Sequence, residues 1–390
     1  MELYTLDSLL RRTRVIDKYK SLIWTERWQE AGDFELVLES TSEFRRYLPP
    51  GTWLSLDRSY RVMRVETIED EVTDEGDKIL TVKGPSIEII MDDRVARYNL
   101  ENLTDTETFY VTNLPAETAR EIFDVVCVTG ALDTDDIIPF ITATTIFPTD
   151  SIPEPSTSVV SKIELVSVYE AVQKICLDYD MGFRLCMVPD MSQLVFDIYM
   201  GSDRTTDQTV LDPVVFSPDF DNLKNTKELT SNAGEKNVAY VYSPAGYVIV
   251  FAPGVDVDVA GFERKVLIVT ADDIEVGDPN ATSKMTNRGL EELSRYRDFS
   301  AFDGETSQFT PFVYDTDYYL GDIVEMRNRD GDANFMRVTE HIYVNDEEGF
   351  RSYPTLVVRK FISPDTWLGW PDFVWFDYDS DPLTWDDLDT

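Results

Sequence analysis

The residues of this chain that could do chemistry are numerous carboxylates and one imidazole. The 390 residues include 74 Asp and Glu but a single histidine, His341. Hydrolytic mechanisms commonly use an imidazole as proton carrier. His341, however, lies in the second copy of a repeated β-like stretch (residues 51–83 and 321–359, described below), and the first copy has Ile68 at the equivalent position. We therefore interpret His341 as a strand residue. Paired carboxylates at glycosidase spacing could arise anywhere in so acidic a chain. No GxSxG, HExxH, P-loop or GxGxxG motif stands between a strand and a helix, and we predict no enzymatic activity.

Two patterns typical of metal or redox chemistry are incomplete. Residues 328–334 resemble a calcium loop, but Glu340 falls one place beyond the twelfth position, and a tight Asp-Gly hairpin turn explains the stretch better. Cys127, Cys176 and Cys186 lack CxxC spacing and have apolar neighbours, so we expect them to pack as small hydrophobic side chains. The sequence therefore predicts no cofactor and no metal site.

The formal net charge of −39 restricts the partners of the chain. Ordinary DNA binding needs Lys and Arg to displace counterions, so it is excluded over most of this surface. The acidity either keeps a solvated surface soluble or lines a passage through which a polyanion slides without sticking. The sequence has no membrane-spanning apolar run and no signal peptide, so we expect no membrane span and synthesis in the cytosol.

Residues 363–390 differ in composition from the rest of the chain. Four of the seven tryptophans lie here, interleaved with aspartates. Such a segment suits docking on a partner, because aromatic rings anchor and carboxylates steer, but it could also fold back over its own domain. The candidate partner-binding residues are Trp367, Trp370, Phe373, Trp375, Phe376, Tyr378 and Trp385.

One stretch of the sequence occurs twice, at residues 51–83 and 321–359. Each copy begins with glycine and contains Met-Arg-Val, and a second glycine follows eleven positions after the valine in both copies. We align the last strands as residues 79–83 with 355–359. Two copies of one β unit allow three chains to place six units around an axis. The alternative is that two hairpins share composition and turn chemistry.

Hydrophobic periodicity sets the remaining elements. It predicts a half-buried strand at residues 34–38 and a short helix near residues 7–12. Pro115 and the Ser167/Glu170 capping box each start a helix, the second ending at Gly182. We predict an α+β, β-rich fold. Its parts are a first β-barrel module (1–97), an α/β domain (98–215), a second β-barrel module (216–253 and 305–362), an inserted α/β subdomain (254–304) and an acidic Trp-rich tail (363–390).

Several segments, in order, resemble the minor tail or baseplate-hub proteins of long-tailed phages (siphoviruses), especially those of actinobacteria. The resemblance covers about residues 1–362 and depends on the ordered agreement of many segments. They are residues 15–17, 21–27, 31–36, 199–205, 215–217, 222–223 and 317–324.

This resemblance implies a homotrimeric tail hub with two related β-barrel tube modules per chain. Such hubs stack on the sixfold distal tail protein ring and surround a channel for DNA and the tape measure protein. The expected location is the tail tip of the virion, after assembly in the host cytoplasm. Longer relatives carry peptidoglycan-cleaving or receptor-binding domains, whereas this sequence stops soon after the second module. The tail at 363–390 could instead recruit a separate tail-tip fibre or adhesin protein.

The leading interpretation is thus a structural hub through which DNA passes without specific binding. Two other classes stay open at this point. One is a tail-associated cell-wall hydrolase that uses paired carboxylates. The other is a glycan-binding adhesin that uses the terminal tryptophans.

Overall fold

The computed structural model consists of two compact units, the main unit (residues 1–230 and 299–358) and the inserted unit (231–298). None of the described helices is long and apolar enough to cross a membrane. The structure describes residues 1–74, 76–96, 109–130, 133–142, 154–155, 158–163, 165–187, 193–231, 234–277, 279, 281–296, 299–306, 311–327 and 333–358.

The first module of the main unit is built from eight strands and one short helix. Its core is formed by side chains such as Phe34, Leu36 and Leu38, whose alternation with polar residues correctly predicted a strand. The elements are β1 (Leu3–Leu6), β2 (Arg12–Ile16), β3 (Ser21–Arg27), β4 (Asp33–Glu39), α1 (Ser42–Tyr47), β5 (Trp53–Leu56), β6 (Val62–Arg64), β7 (Thr67–Val72) and β8 (Lys78–Pro85).

The helix predicted near residues 7–12 is wrong, because β1 and β2 form an antiparallel hairpin there. The Asp7 carboxylate accepts hydrogen bonds from the backbone N–H groups of Leu9 (2.9 Å) and Arg11 (3.0 Å). Leu10 adopts a left-handed conformation with φ of 59°. A side chain that bonds the backbone of its own turn competes with a helix, and here the turn is favoured.

An α/β segment follows the first module. Pro115 and Ser167 start helices as predicted, and the Ser167 hydroxyl accepts the N–H of Glu170 at 3.1 Å. Gly182 does not end the second helix: Asp180, at φ of 50°, is the left-handed residue after it. The elements are β9 (Phe109–Asn113), α2 (Pro115–Phe123), β10 (Ile141–Thr142), β11 (Val159–Ile163), α3 (Val168–Asp178), β12 (Gly182–Met187) and β13 (Leu194–Tyr199).

The second module is interrupted by the inserted unit. In chain order the elements are β14 (Asp203–Arg204), β15 (Val215–Phe216) and β16 (Leu223–Ser231), then β17 (Val238–Ser243), β18 (Gly246–Phe251), β19 (Val266–Thr270) and α4 (Ala281–Arg295), and finally β20 (Phe299–Thr306), β21 (Ile323–Arg327), β22 (Ala333–Asp346) and β23 (Gly349–Val358). The second core lies among Phe216, Tyr318, Val324, Met336 and Leu356.

The inserted unit has its own core. Its sheet has the order β18-β17-β19, and Met285 and Leu293 of α4 pack against Val241 and Val250 of the sheet. From the sequence we assigned residues 216–253 to the second module. The structure instead groups β17 and β18 with the inserted unit, because their buried side chains share its core.

The two modules repeat the same strand order. The first has β3-β4-β8-β7 with β5 paired to β6, and the second has β16-β20-β23-β22 with β21 paired to β22. Therefore the inserted unit, between β16 and β20, lies where the first module has only the short connection between β3 and β4.

Backbone hydrogen bonds show the same repeat at the level of single residues. Gly51 N–H donates to Val65 O at 2.7 Å, and Gly321 N–H donates to Val338 O at 2.8 Å. The two glycines have φ of 88° and 89°. In both copies the register to the next strand shifts by one residue just after the valine. Two unrelated hairpins would not be expected to have their turns and bulges at equivalent residues. The two copies therefore share more than composition and turn chemistry.

Strand pairing also corrects our alignment of the last strands of the repeat. In the first copy Thr67 pairs with Lys83, and at the equivalent place in the second copy Glu340 pairs with Thr355. Lys83 therefore corresponds to Thr355 and not to residue 359, a shift of four. The turn in the second copy is followed by a longer strand, which the alternation of apolar residues did not reveal.

One continuous sheet joins the two modules. β22 of the second module pairs antiparallel with β3 of the first, from Glu340 opposite Arg27 to Asn345 opposite Leu22. The full order is β16-β20-β23-β22-β3-β4-β8-β7. Among the described residues this order is open, with β16 at one end and β7 at the other.

The repeat offers a matched pair of glycine substitutions. A Cβ on Gly321 would lie 2.5 Å from Nε1 of Trp28, whereas a Cβ on Gly51 has nothing within 4 Å. Both substitutions strain a left-handed backbone, at about 1 kcal/mol or more. We expect Gly321→Ala to lower the free energy of unfolding by about 1–3 kcal/mol more than Gly51→Ala, because of the added overlap. Urea unfolding of both variants measures this, and equal losses would contradict it.

Candidate functional site

The joint between the modules centres on Trp28, the residue after β3. Its backbone N–H donates to Thr339 O at 2.9 Å, and its carbonyl accepts the N–H of Phe183 at 3.1 Å. Its indole is buried against Gly182 and Gly321, where any Cβ would overlap the ring. One residue thus connects both modules and the α/β segment, which explains why Gly182 is required although it does not end a helix.

Arg337 also packs on this indole. Its guanidinium carbon lies 4.3 Å from the Trp28 ring centroid. It donates to Met200 O at 2.9 Å, Gly321 O at 2.5 Å and Asp180 Oδ2 at 2.6 Å. The Arg337 and Asp180 side chains are only 3% and 4% exposed. A buried ion pair of this kind is costly to break, because the remaining charge would be left in the interior.

The equivalent arginine of the first copy has a different environment. Arg64 is 22% exposed and pairs with Glu66 and with Asp93, the latter at 3.2 Å. The Met-Arg-Val motif therefore keeps its strand position in both copies. Only the second copy uses the arginine to hold the α/β segment.

A second buried polar cluster lies under the same joint. The Glu26 carboxylate accepts hydrogen bonds from Ser59, from Trp24 Nε1 at 3.3 Å and from Tyr314 OH at 2.9 Å. Nearby, Arg61 and Glu88 form a buried ion pair. Glu88 also accepts the backbone N–H of Leu185 at 3.0 Å, which is a second attachment of the α/β segment.

His341 lies in this cluster as a strand residue, as predicted. It pairs with Glu26 on β3 and Pro354 on β23 and is fully buried. Its ring stacks on Tyr314 with centroids 3.8 Å apart. Burial lowers the pKa of His341 to about 3, and neither ring nitrogen has a hydrogen-bond partner among the residues that the structure describes. The imidazole is therefore neutral and enclosed, in no position to exchange protons with a substrate.

β7 and β16 are the two end strands of this sheet in the described part of the chain. Residues of β7 are largely exposed, and Glu69, Asp70 and Glu71 follow one another there. The sequence of β16 contains Lys224 and Lys227. Charged edge strands are protected from indiscriminate pairing while remaining able to pair with a complementary strand.

The seven candidate partner-binding residues from Trp367 to Trp385 lie outside the described residues, as do 328–332 of the calcium-like loop. On either side of that loop, Arg327 of β21 pairs with Ala333 of β22. The three cysteines are buried as predicted, and burial raises the pKa of Cys127 to about 12. Within the described part of the chain, no group of His, Cys, Asp and Glu is arranged for a metal.

Sequence reasoning missed Trp28, Asp180 and Glu26. The arginine repeated at 64 and 337 was a signal, because a charged residue between two buried apolar positions needs a partner. The identity of that partner depends on contacts between residues far apart in the chain.

The environment of His341 predicts a change in acid stability. The folded-state pKa of about 3 lies below the unfolded value, so His341 favours folding above pH 6.5 and this contribution is lost as the pH falls towards 3. In the native chain this lowers the free energy of unfolding by about 1.4 kcal/mol for each pH unit below 6.5. We expect His341→Phe to remove this pH-dependent decrease. His341→Ile, the residue type found at Ile68, should remove the same pH dependence while losing ring stacking. If the free energy of unfolding changed equally in the native and variant chains between pH 7 and pH 4, the lowered pKa of His341 would be contradicted.

Comparison with solved structures finds the same fold in bacterial and prophage tail proteins. The 43 kDa tail protein of prophage MuSo2 from Shewanella oneidensis has 13% identity and a TM-score of 0.57, covering 95% of this chain and 100% of that one. A tail protein from Neisseria meningitidis MC58 has 11% identity and a TM-score of 0.56, covering 95% and 99%. Prophage tail protein gp18 from Listeria monocytogenes EGD-e has 13% identity and a TM-score of 0.53, covering 92% and 94%. The comparison with curated proteins found no match.

The family model described as Siphovirus ReqiPepy6 Gp37-like protein matches residues 1–356. The match includes both modules, the α/β segment and the inserted unit, and it confirms the resemblance to siphovirus tail proteins. The chain therefore belongs to the siphovirus ReqiPepy6 Gp37-like protein family.

Proposed function

We propose that this protein is the structural hub of a siphovirus tail tip, with no enzymatic activity. Three copies form a ring of six β-barrel modules that joins the tail tube to the tip. The ring stacks on the distal tail protein and surrounds the channel used by DNA and the tape measure protein. The family and the tail-protein fold support a structural role in the virion tail.

The single observation that supports the proposed ring is the pairing of β22 with β3. The first-module counterpart of β22 is β6 with β7, and the second-module counterpart of β3 is β16. β7 and β16 are the two ends of the sheet, so in the described part of the chain each pairs on one side only, β7 with β8 and β16 with β20. If β7 of one chain pairs with β16 of the next, the contact between modules within a chain is repeated between chains.

Such an interface is heterologous, since two different edges meet, and it closes a ring when the rotation per module divides a full turn. Six modules match a sixfold tube, and two modules per chain then require three chains. Pairing with the neighbouring modules would also close the barrels, since the strand order of the described residues is open.

The charges of the two edges favour this pairing. The edge strand β7 contains three acidic residues, Glu69, Asp70 and Glu71, and the sequence of β16 contains two lysines, Lys224 and Lys227, and one acidic residue, Glu228. Complementary charges suppress pairing of like edges and steer unlike edges together. The carboxylates of β7 would repel a second β7, so head-to-tail addition is preferred.

The overall acidity suits the wall of a DNA channel. The exposed side of β4 presents Glu35 and Glu39 between its buried side chains, although Lys83 pairs with Glu35 at 2.6 Å. With a net charge of −39, a narrow bore would repel phosphates within a Debye length of about 8 Å. DNA would pass without adhering. Recruitment of a fibre or adhesin by residues 363–390 stays a prediction.

The edge pairing is tested by reversing its charges. We expect the native chain to assemble to three times its mass of 44.7 kDa, and Glu69→Lys with Glu71→Lys to leave it monomeric, because both edge strands then carry lysines and repel each other. Asp272→Lys with Glu275→Lys, in the inserted unit, is the control with the same change of charge. Native mass spectrometry and electron-microscope class averages report mass and shape. Equal assembly of both variants, or a native assembly without a central bore, would contradict the proposal.

A further inference from the structure

A cleft of about 460 Å³ opens on the first module. It lies between the β1–β2 hairpin, the end of α1 and the turn at Gly51. Tyr47 forms part of its wall, with the guanidinium carbon of Arg14 3.7 Å and that of Arg46 4.8 Å from the ring centroid. Arg46 also donates to the Tyr47 hydroxyl at 2.6 Å. Two cations thus share one aromatic ring at the edge of an open space.

These two arginines are unusual for so acidic a chain. The sequence has 74 acidic and 35 basic residues, yet neither guanidinium forms an ion pair with a carboxylate of the described residues. Both side chains belong to exposed residues. An unneutralised pair of guanidiniums is a local positive site, which attracts carboxylates, and Arg favours planar partners with which it can form two hydrogen bonds.

The second copy of the repeat shows which side chain can pack on the turn at Gly51. Gly51 corresponds to Gly321, and at Gly321 the turn is covered by the indole of Trp28. At Gly51 the equivalent space is open and borders the cleft, with Trp53 beside it. The same turn therefore has an indole on it in one copy and a vacant aromatic-lined surface in the other.

We propose that the acidic, Trp-rich segment 363–390 of the same chain docks in this cleft. A tryptophan of the segment packs on the Gly51 turn beside Tyr47 and Trp53, and aspartates next to it pair with Arg14 and Arg46. Asp7, the acidic residue in the lining of the cleft, already pairs with Arg11 at 3.2 Å, so the aspartates of the segment supply the carboxylates for Arg14 and Arg46, and its tryptophans supply an indole for the open side of Gly51. It is the alternative to recruitment of a separate adhesin, and it does not depend on the number of chains in the ring.

The length of the segment permits this contact. Trp367 follows Val358 by nine residues and Trp385 follows it by 27. At about 3.3–3.6 Å per residue, an extended chain reaches about 30 Å to Trp367 and about 90 Å to Trp385. A domain of this size has a radius of gyration of about 20 Å and a diameter of about 50 Å, so the reach to Trp385 is sufficient for any face of the main unit, and the reach to Trp367 is sufficient only for nearby faces.

Protease protection in the full-length chain tests the proposal. Chymotrypsin cuts after the aromatic residues of the segment, and cleavage follows the population in which the segment is released. We expect Arg14→Glu with Arg46→Glu to speed cleavage within residues 363–390 about tenfold, and 0.5 M salt to speed cleavage of the native chain. Arg58→Glu with Arg264→Glu is the matched control, because these arginines also form no ion pair with a described carboxylate and the charge change is the same.

Thermal unfolding of each variant shows whether the main unit is intact, and native mass on the same samples reports ring assembly separately. Equal cleavage rates in the two double variants would overturn the inference. So would a native segment that is cut at once and becomes protected only when a tail-tip protein is added, which would assign it to an external partner. Faster cleavage confined to the Arg14/Arg46 variant supports the docking.

Discussion

The pairing of β22 with β3 is the constraint on which the rest of the structure depends. It places the second module beside the first in one sheet and brings Thr339 opposite Trp28, whose N–H bonds to it at 2.9 Å. With Trp28 fixed, its indole fills the contact between Gly182 and Gly321, and Arg337 closes over it to reach Asp180. The α/β segment is therefore attached at the joint and not to either module alone.

Around this joint the two repeats share a backbone but use it differently. The left-handed turn at Gly321 receives an indole, whereas the turn at Gly51 opens on a cleft lined by Arg14, Arg46 and Tyr47. The internal strand β22 of the second module corresponds to the end strand β7 of the first, and the internal strand β3 of the first module corresponds to the end strand β16 of the second. Since equivalent surfaces are occupied in one copy and vacant in the other, the vacant ones are natural sites for a second chain or for the segment at 363–390.

The sequence was sufficient for features that depend on local chemistry. The spacing of glycines and Met-Arg-Val predicted a structural repeat, Pro115 and Ser167 predicted helix starts, and the match of His341 with Ile68 predicted a strand residue. It failed where local rules compete, as when the Asp7 side chain favours a turn over a helix. It also failed where distant contacts decide, as for Gly182, whose role is to admit Trp28, and for the Arg337–Asp180 pair. No local pattern encodes which residue will lie across the joint.

Whether edge pairing joins the duplicated β unit into a ring is measured most directly by a cryo-electron-microscopy map of the assembled ring or of intact tails. We expect β7 of each chain to pair antiparallel with β16 of the next chain, with the geometry that β22 and β3 have within a chain, around a central bore. A map in which both strands are exposed to solvent, or in which this protein lies away from the tail axis, would contradict it.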